Sequence, residues 1–205
     1  MILGSQKLAD EIRKGNEGDS DGLAIIPTPN LKLLAASGEA SVNLRLGRWF
    51  VTMRPSNVPH VSAVYKEKPE PPQKIAKQYF IPFGNEFILH PNRFVLAGTL
   101  EWIRLPGVYS ALVLGKSTLA RRGIIIETAA GVHPGFSGCL TLEIANVGEL
   151  PVALVAGMMI GQLFVHQVEG SASTASKTTL GGQRKPRFGI IREDPILTKL
   201  LKTRQ

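Results

Sequence analysis

From Ser41 onward the chain is cut into short apolar runs separated by Gly, Pro or Asn, and no stretch keeps a helical period for long. Ser41-Val42-Asn43-Leu44-Arg45-Leu46 alternates polar and apolar residues, the period of a strand with one buried face. Phe50–Met53 follows an expected turn at Gly47-Arg48. Glu86–Leu89 and Phe94–Ala97 flank Pro91-Asn92, which reads as a hairpin-like turn. Leu100–Leu105, Tyr109–Leu114, Ile124–Thr128, Cys139–Ala145, Val152–Val155 and Gln162–Val168 extend the series. Many short strands at this spacing predict a mainly β sandwich or barrel.

Helices are expected at the margins, with one brief turn inside the strand series. Leu8 and Ile12 share one face of Ser5–Lys14, and Ser117–Arg122 reads as a brief helical turn. Asp194 is placed to cap a C-terminal helix that begins at Pro195, with its lysines late. Residues 54–77 are rich in Pro, Lys and Glu and read as an exposed excursion. Residues 170–189 are Ser/Thr/Gly-rich and basic, and are expected to lack packed structure without a ligand.

A chain of 205 residues fits one domain with a real core. One cysteine, Cys139, excludes an intrachain disulfide and reads as a small buried hydrophobe. No apolar run approaches the ~20 residues of a membrane span, and Asp10, Glu11 and Glu17 interrupt any leader-like start. A cytoplasmic location is the expectation. Of the formal charge of +8, the segment from Ser171 onward carries eight Lys/Arg against Glu193 and Asp194. Such a tail suits a polyanion. For single-stranded nucleic acid it lacks a stacking platform, since Phe188 is its one aromatic residue.

Chemistry concentrates between Gly115 and Glu143. Ser117 and Thr118 offer hydroxyls to an anion, Lys116 offers a point charge, and Arg121 a planar fork. The spacing is not that of a Walker loop, and the same string also reads as a surface turn. Thr141 and Glu143 share one face of a strand, opposite Leu140 and Leu142. Glu143 is either a solvated carboxylate or a proton-transfer group facing a pocket near Arg121. Thr128–Gly138, with Gly131, Pro134, Gly135 and Gly138, is either a hairpin loop or a backbone-lined slot for a base edge. None of His60, His90, His133 and His166 has a partner at metal-ligand spacing. One cysteine cannot supply the H-x-E…P-C-x-x-C set of the zinc deaminases.

These segments resemble, in order, the dCTP deaminase family, relatives of the trimeric dUTPases. The resemblance is carried by Gly115–Gly123, Thr128–Gly138 and Leu142-Glu143. It extends to Met1-Ile2-Leu3, Ala40–Gly47, Phe87–Pro91, Phe94–Pro106 and Pro151–Phe164. It implies a distorted jelly-roll, dUTPase-like β-barrel with short N- and C-terminal helices. It further implies a homotrimer with sites between subunits, and zinc-independent hydrolysis of dCTP to dUTP and ammonia. Mg²⁺ would accompany the triphosphate, and dTTP is a candidate regulator.

The resemblance makes residues 1–170 the β domain and residues 171–205 a basic segment closing over the nucleotide. Glu143 falls on the catalytic carboxylate. Ser117 and the carbonyl of Ala129 would hold the water, and Arg121 would balance Glu143. Lys116, Ser117, Thr118, Leu119, Ala120 and Arg121 would line the phosphates. Thr141, Leu142 and Glu143 would run beside the base, His133 near the sugar, and Gln183 at the triphosphate. The family usually carries Arg at the position of Lys116 and Asp at those of Asn43 and His133. The tail lacks the family's tyrosine and clear lysine, with Lys177 and Arg184 as stand-ins. Ile125-Ile126-Glu127 lacks the aspartate of a dUTPase, which ranks dUTPase alone lower. A bifunctional enzyme releasing dUMP and a non-catalytic nucleotide-binding homologue are the alternatives.

Overall fold

The computed structural model describes residues 1–19, 22–54, 60–65, 75–126, 131–170, 182–189 and 191–202. The elements run α1 (Ser5–Asn16), β1 (Ala24–Ile26), α2 (Leu31–Ala36), β2 (Val42–Met53), β3 (Ala76–Phe80), β4 (Glu86–Leu89), β5 (Arg93–Arg104) and β6 (Tyr109–Gly115). There follow α3 (Ser117–Ala120), β7 (Ile124–Ile126), β8 (Gly131–Val132), β9 (Ser137–Asn146), β10 (Val152–Val155), β11 (Met159–Gln167) and α4 (Pro195–Lys202). No described helix is long and apolar enough to cross a membrane.

Among the described residues one sheet has the order β7-β9-β5-β2-β11-β6-β8, with β1 on β5 and β3 on β2, while β4 and β10 form a separate ribbon. Laid flat, seven strands at ~4.8 Å spacing would set the outer pair about 29 Å apart. Yet β7 and β8 are joined by residues 127–130 alone, a span of at most about 18 Å. A Cβ on Gly115, at the end of β6, would lie 3.4 Å from Cβ of Ile126 in β7. The sheet therefore curls so that its two edges approach, giving a mainly β, half-barrel sheet where the strand pattern predicts a sandwich or barrel.

Alternation drives the curl. Val42, Leu44 and Leu46 of β2, Leu140, Leu142 and Ile144 of β9, and Leu163 and Val165 of β11 enter one shared core. Leu8 and Ile12 of α1 join it as their spacing predicts. Asn146 closes the end of β9. Its buried amide donates to the carbonyls of Leu89 and Leu150, both at 2.9 Å, and accepts from Gly148 N–H.

The structure corrects four sequence expectations. Gly47-Arg48 is not a turn: β2 runs through it, and β5 likewise joins the two runs read separately as Phe94–Ala97 and Leu100–Leu105. The reason is a close crossing of the two strands, since a Cβ on Gly47 would meet the Gly98 carbonyl oxygen at 2.8 Å. The ladder shifts there between Leu46 and Phe50 and, on β5, between Gly98 and Trp102. Thirdly, Pro91-Asn92 does turn the chain, with Asn92 at φ 56°. It makes no hairpin, because β4 pairs with β10 while β5 pairs with β2 and β9. Lastly, part of the tail, residues 182–189, is packed, as described below. Asp194 caps α4 as expected, accepting from the N–H of Ile196 and Leu197.

At the shifted register, polar side chains satisfy what the ladder leaves unpaired. Thr99 Oγ1 donates to the Glu101 carbonyl at 2.8 Å and accepts from Leu140 N–H at 2.9 Å. The Glu101 carboxylate accepts from Arg45 N–H at 2.9 Å, although the residue is only 5% exposed. Burial pushes its pKa up, against the smaller opposing pull of the Arg45 N–H. Folding thus favours the protonated form. That stability is present below the ordinary carboxylate range and is lost as pH rises through the elevated value. Glu101→Gln keeps an acceptor for Arg45 and removes the charge. We expect its Tm to gain on wild type as pH is raised from 4 to 8, by about 2–4 °C for each kcal/mol recovered. Melting curves across that range check this.

Candidate active site

Most of the described residues that the sequence singles out fall in two neighbouring regions, and β7 connects them. The chain leaves β6 at Gly115, makes the single turn of α3 and enters β7, which pairs with β9 so that Ile124 opposes Asn146 and Ile126 opposes Ile144. The Val147 N–H donates to the Gly123 carbonyl at 2.8 Å. Lys116–Arg121 therefore lie at the end of β9 that carries Glu143, one strand away. Ser117, Thr118, Ala120 and Arg121 are exposed, and Lys116 and Leu119 are partly buried. Lys116 Nζ reaches across β11 to donate to Asn43 Oδ1 at 2.6 Å. Sequence reasoning treated these two residues as separate departures from the family pattern.

On β9, Leu140 and Leu142 are buried while Thr141 and Glu143 stand half-buried on the other face, as the alternation predicts. The free edge of the strand is occupied at both ends. At one end is β7. At the other, residues 182–183 add an extra rung: Cys139 N–H donates to the Gln183 carbonyl at 2.8 Å, and Gly182 N–H to the Ser137 carbonyl. Among the described residues no strand pairs with that edge between Cys139 and Ile144. The interval contains Thr141 and Glu143.

Residues 182–186 lie against β9, β5 and β2. Gln183 is 6% exposed, and its Nε2 donates to the Cys139 carbonyl and to Thr141 Oγ1, both at 3.2 Å. A carbonyl can only accept, so the amide nitrogen must face Cys139. That leaves Gln183 Oε1 buried and without a protein donor among the described residues. Gly98 stands opposite Thr141, and a Cβ there would lie 3.5 Å from Pro186 Cδ. Lys185 Nζ sits 3.8 Å above the Trp49 ring. Burial pushes the Cys139 thiol up, opposed by nearby Arg184.

The remaining predicted residues are placed as follows. His133 is exposed in the turn between β8 and β9, where its carbonyl accepts from Phe136 N–H. Since Ala111 opposes Val132, His133 lies toward the far end of β6, about 17 Å along the strand from Gly115. Ala129, proposed to hold the water, lies outside the described residues, as do Glu127, Thr128 and Lys177. Among the described residues no group of three or more His, Cys, Asp or Glu side chains could hold a metal ion.

A dCTP deaminase-like family model matches residues 2–168. A dCTP deaminase of Natronomonas pharaonis is 35% identical over 199 residues, covering 95% of this chain and 96% of that protein. A dUMP-forming dCTP deaminase of Thermobifida fusca is 37% identical over 172 residues, covering 81% and 85%. In fold, the chain is similar to the 2′-deoxycytidine 5′-triphosphate deaminase of Agrobacterium tumefaciens. The TM-score is 0.59 at 19% identity, over 82% of this chain and 48% of that one. The chain belongs to the dCTP deaminase-like family.

The docking of residues 182–189 is testable. Gly98→Ala is expected to be accommodated, because 3.5 Å is ordinary van der Waals distance. Gly98→Leu has no room beneath Pro186 and is expected to lift the segment. Tryptic cleavage after Arg184 and Arg187 then accelerates about tenfold over wild type and Gly98→Ala, in proportion to the open population.

Proposed function

We propose that this protein is a zinc-independent dCTP deaminase. The observation that carries the reading is the placement of Thr141 and Glu143 on the outer face of β9, beside Gln183 and one strand from the Lys116–Arg121 turn. Family membership and two dCTP deaminase relatives above 30% identity support the substrate class.

In this reading the pyrimidine lies against Thr141–Glu143, and the phosphates lie toward Lys116, Ser117, Thr118 and Arg121. Ser117 and the Ala129 carbonyl position a water over C4. Glu143 takes a proton from that water as its oxygen bonds to C4, then delivers the proton to ring N3. The hydroxyl proton passes to the amino group, the C4–N bond breaks, and ammonia leaves a uracil carbonyl behind. Arg121 stabilises the Glu143 carboxylate and the developing charge. Mg²⁺ enters with the triphosphate as part of the substrate. Residues 182–189, docked beside Thr141, extend over the bound nucleotide from the β domain.

Ser117 and His133 stand near opposite ends of β6. A site using both would take them from two copies of the chain, which fits a site between subunits, as in the homotrimer that the family resemblance implies. A second reading, release of dUMP, is favoured by the name of the Thermobifida fusca relative. Ile125-Ile126-Glu127, which lacks the aspartate of a dUTPase, ranks dUTPase activity alone lower and leaves the bifunctional reading open.

Glu143→Gln is expected to lower ammonia release from dCTP by about 10²–10⁴-fold while dCTP binding stays within about threefold. Arg121→Ala is expected to weaken both rate and binding. Chromatography of the nucleotide product, with pyrophosphate assayed in parallel, separates dUTP from dUMP. Full turnover by Glu143→Gln would falsify the assignment of the base.

A further inference from the structure

Asn43, Gln162 and Leu114 form one row across three strands, with Asn43 opposite Gln162 in β2–β11 and Gln162 opposite Leu114 in β11–β6. Lys116 lies two residues beyond Leu114, and its side chain folds back over β11 to reach β2. The row is itself fastened, since Gln162 Nε2 donates to Ser41 Oγ at 3.1 Å. The Nζ–Oδ1 distance of 2.6 Å makes the Lys116–Asn43 bond a short one at a half-buried position. A lysine head that would otherwise sample many rotamers is thereby held in one place.

The partner's chemistry matters more than its position. An ammonium has three donors and the bond to Asn43 uses one. The acceptor is an amide, which carries no charge. A carboxylate at the same distance would form an ion pair and cancel most of the field that Lys116 presents to a ligand. An amide fixes the head and leaves its full charge and two N–H groups for another anion.

We infer that Asn43 is a positioning residue that holds a fully charged Lys116 for the polyphosphate chain of the nucleotide. Its neutrality sets the affinity of that subsite. The inference rests on the deaminase reading only in placing a triphosphate at this end of β6.

The test measures binding of inorganic tripolyphosphate by calorimetry, and KM and kcat for dCTP. It compares wild type, Asn43→Asp, Lys116→Met and the double variant, each checked by thermal melting. Asn43→Asp is expected to weaken tripolyphosphate about tenfold, as Lys116→Met does, with no further loss in the double variant. KM for dCTP rises by the same factor, and kcat falls far less. Should Asn43→Asp fail to fold, Asn43→Leu removes the anchor without adding charge. It is expected to cost about threefold, again only when Lys116 is present.

The inference is overturned by wild-type affinity in the asparagine variants, by a loss that persists in the Lys116→Met background, or by a loss confined to kcat. It is also overturned if wild type does not bind tripolyphosphate. Wild type that binds tripolyphosphate in this pattern yet releases no ammonia from dCTP sinks the deaminase reading and leaves this one standing. Normal deamination with Asn43→Asp indistinguishable from wild type does the reverse.

Discussion

The two-faced character of β9 governs where Thr141 and Glu143 point. Leu142 and Ile144 are fully buried, and each contributes about 1.5–3 kcal/mol by leaving water. A slip of one residue would expose both and turn Thr141 and Glu143 into the core. The outward direction of Glu143 is therefore fixed by its apolar neighbours. The same register sets Gly98 opposite Thr141, which opens the notch filled by Pro186.

That register in turn depends on the crossing of β2 and β5. Gly47 lets the strands approach to a distance that any side chain would block. The ladder shifts on both strands at this crossing, and Thr99 and Glu101 take up the groups left over. Glu101 is an expensive acceptor, since a buried carboxylate opposes its own ionisation. Its bond to Arg45 N–H closes an opening in a central strand, where an unpaired N–H would itself cost about 1–3 kcal/mol.

Strand periods were readable because half-buried strands must alternate, and Ser41–Leu46 and Cys139–Ala145 do. Continuity was not readable, because a glycine at a close crossing and a glycine in a turn look alike in one dimension. The pairing of β4 with β10 was hidden for a related reason: Asn92 turns the chain, but nothing local says which strand the next segment joins. In the candidate site, the face carrying Thr141 and Glu143 followed from alternation, and the cluster of hydroxyls and cations at Lys116–Arg121 from composition. The Lys116–Asn43 bond was out of reach, since it spans 73 positions and crosses an intervening strand. The tail misled for a physical reason. Its composition is polar, yet Gln183 and Pro186 are buried by hydrogen bonding and by shape, neither of which hydropathy records.

The tail's placement also bears on how its charge is used. Its only aromatic residue is Phe188, but it docks beside a surface with several rings. Trp49 packs on Phe80 at 4.9 Å, and Arg48 lies 5.0 and 4.9 Å from the Phe80 and Phe83 centroids. Lys185 covers Trp49. Rings topped by cations are poor stacking platforms, because a base must first displace the cation. The tail therefore fills a surface that could otherwise have received nucleic-acid bases. A cation–π contact of this exposed kind contributes about 0.5–1 kcal/mol. The backbone rung at Cys139 and the buried Gln183 amide must hold the segment, which ties its position to the strand that carries Glu143.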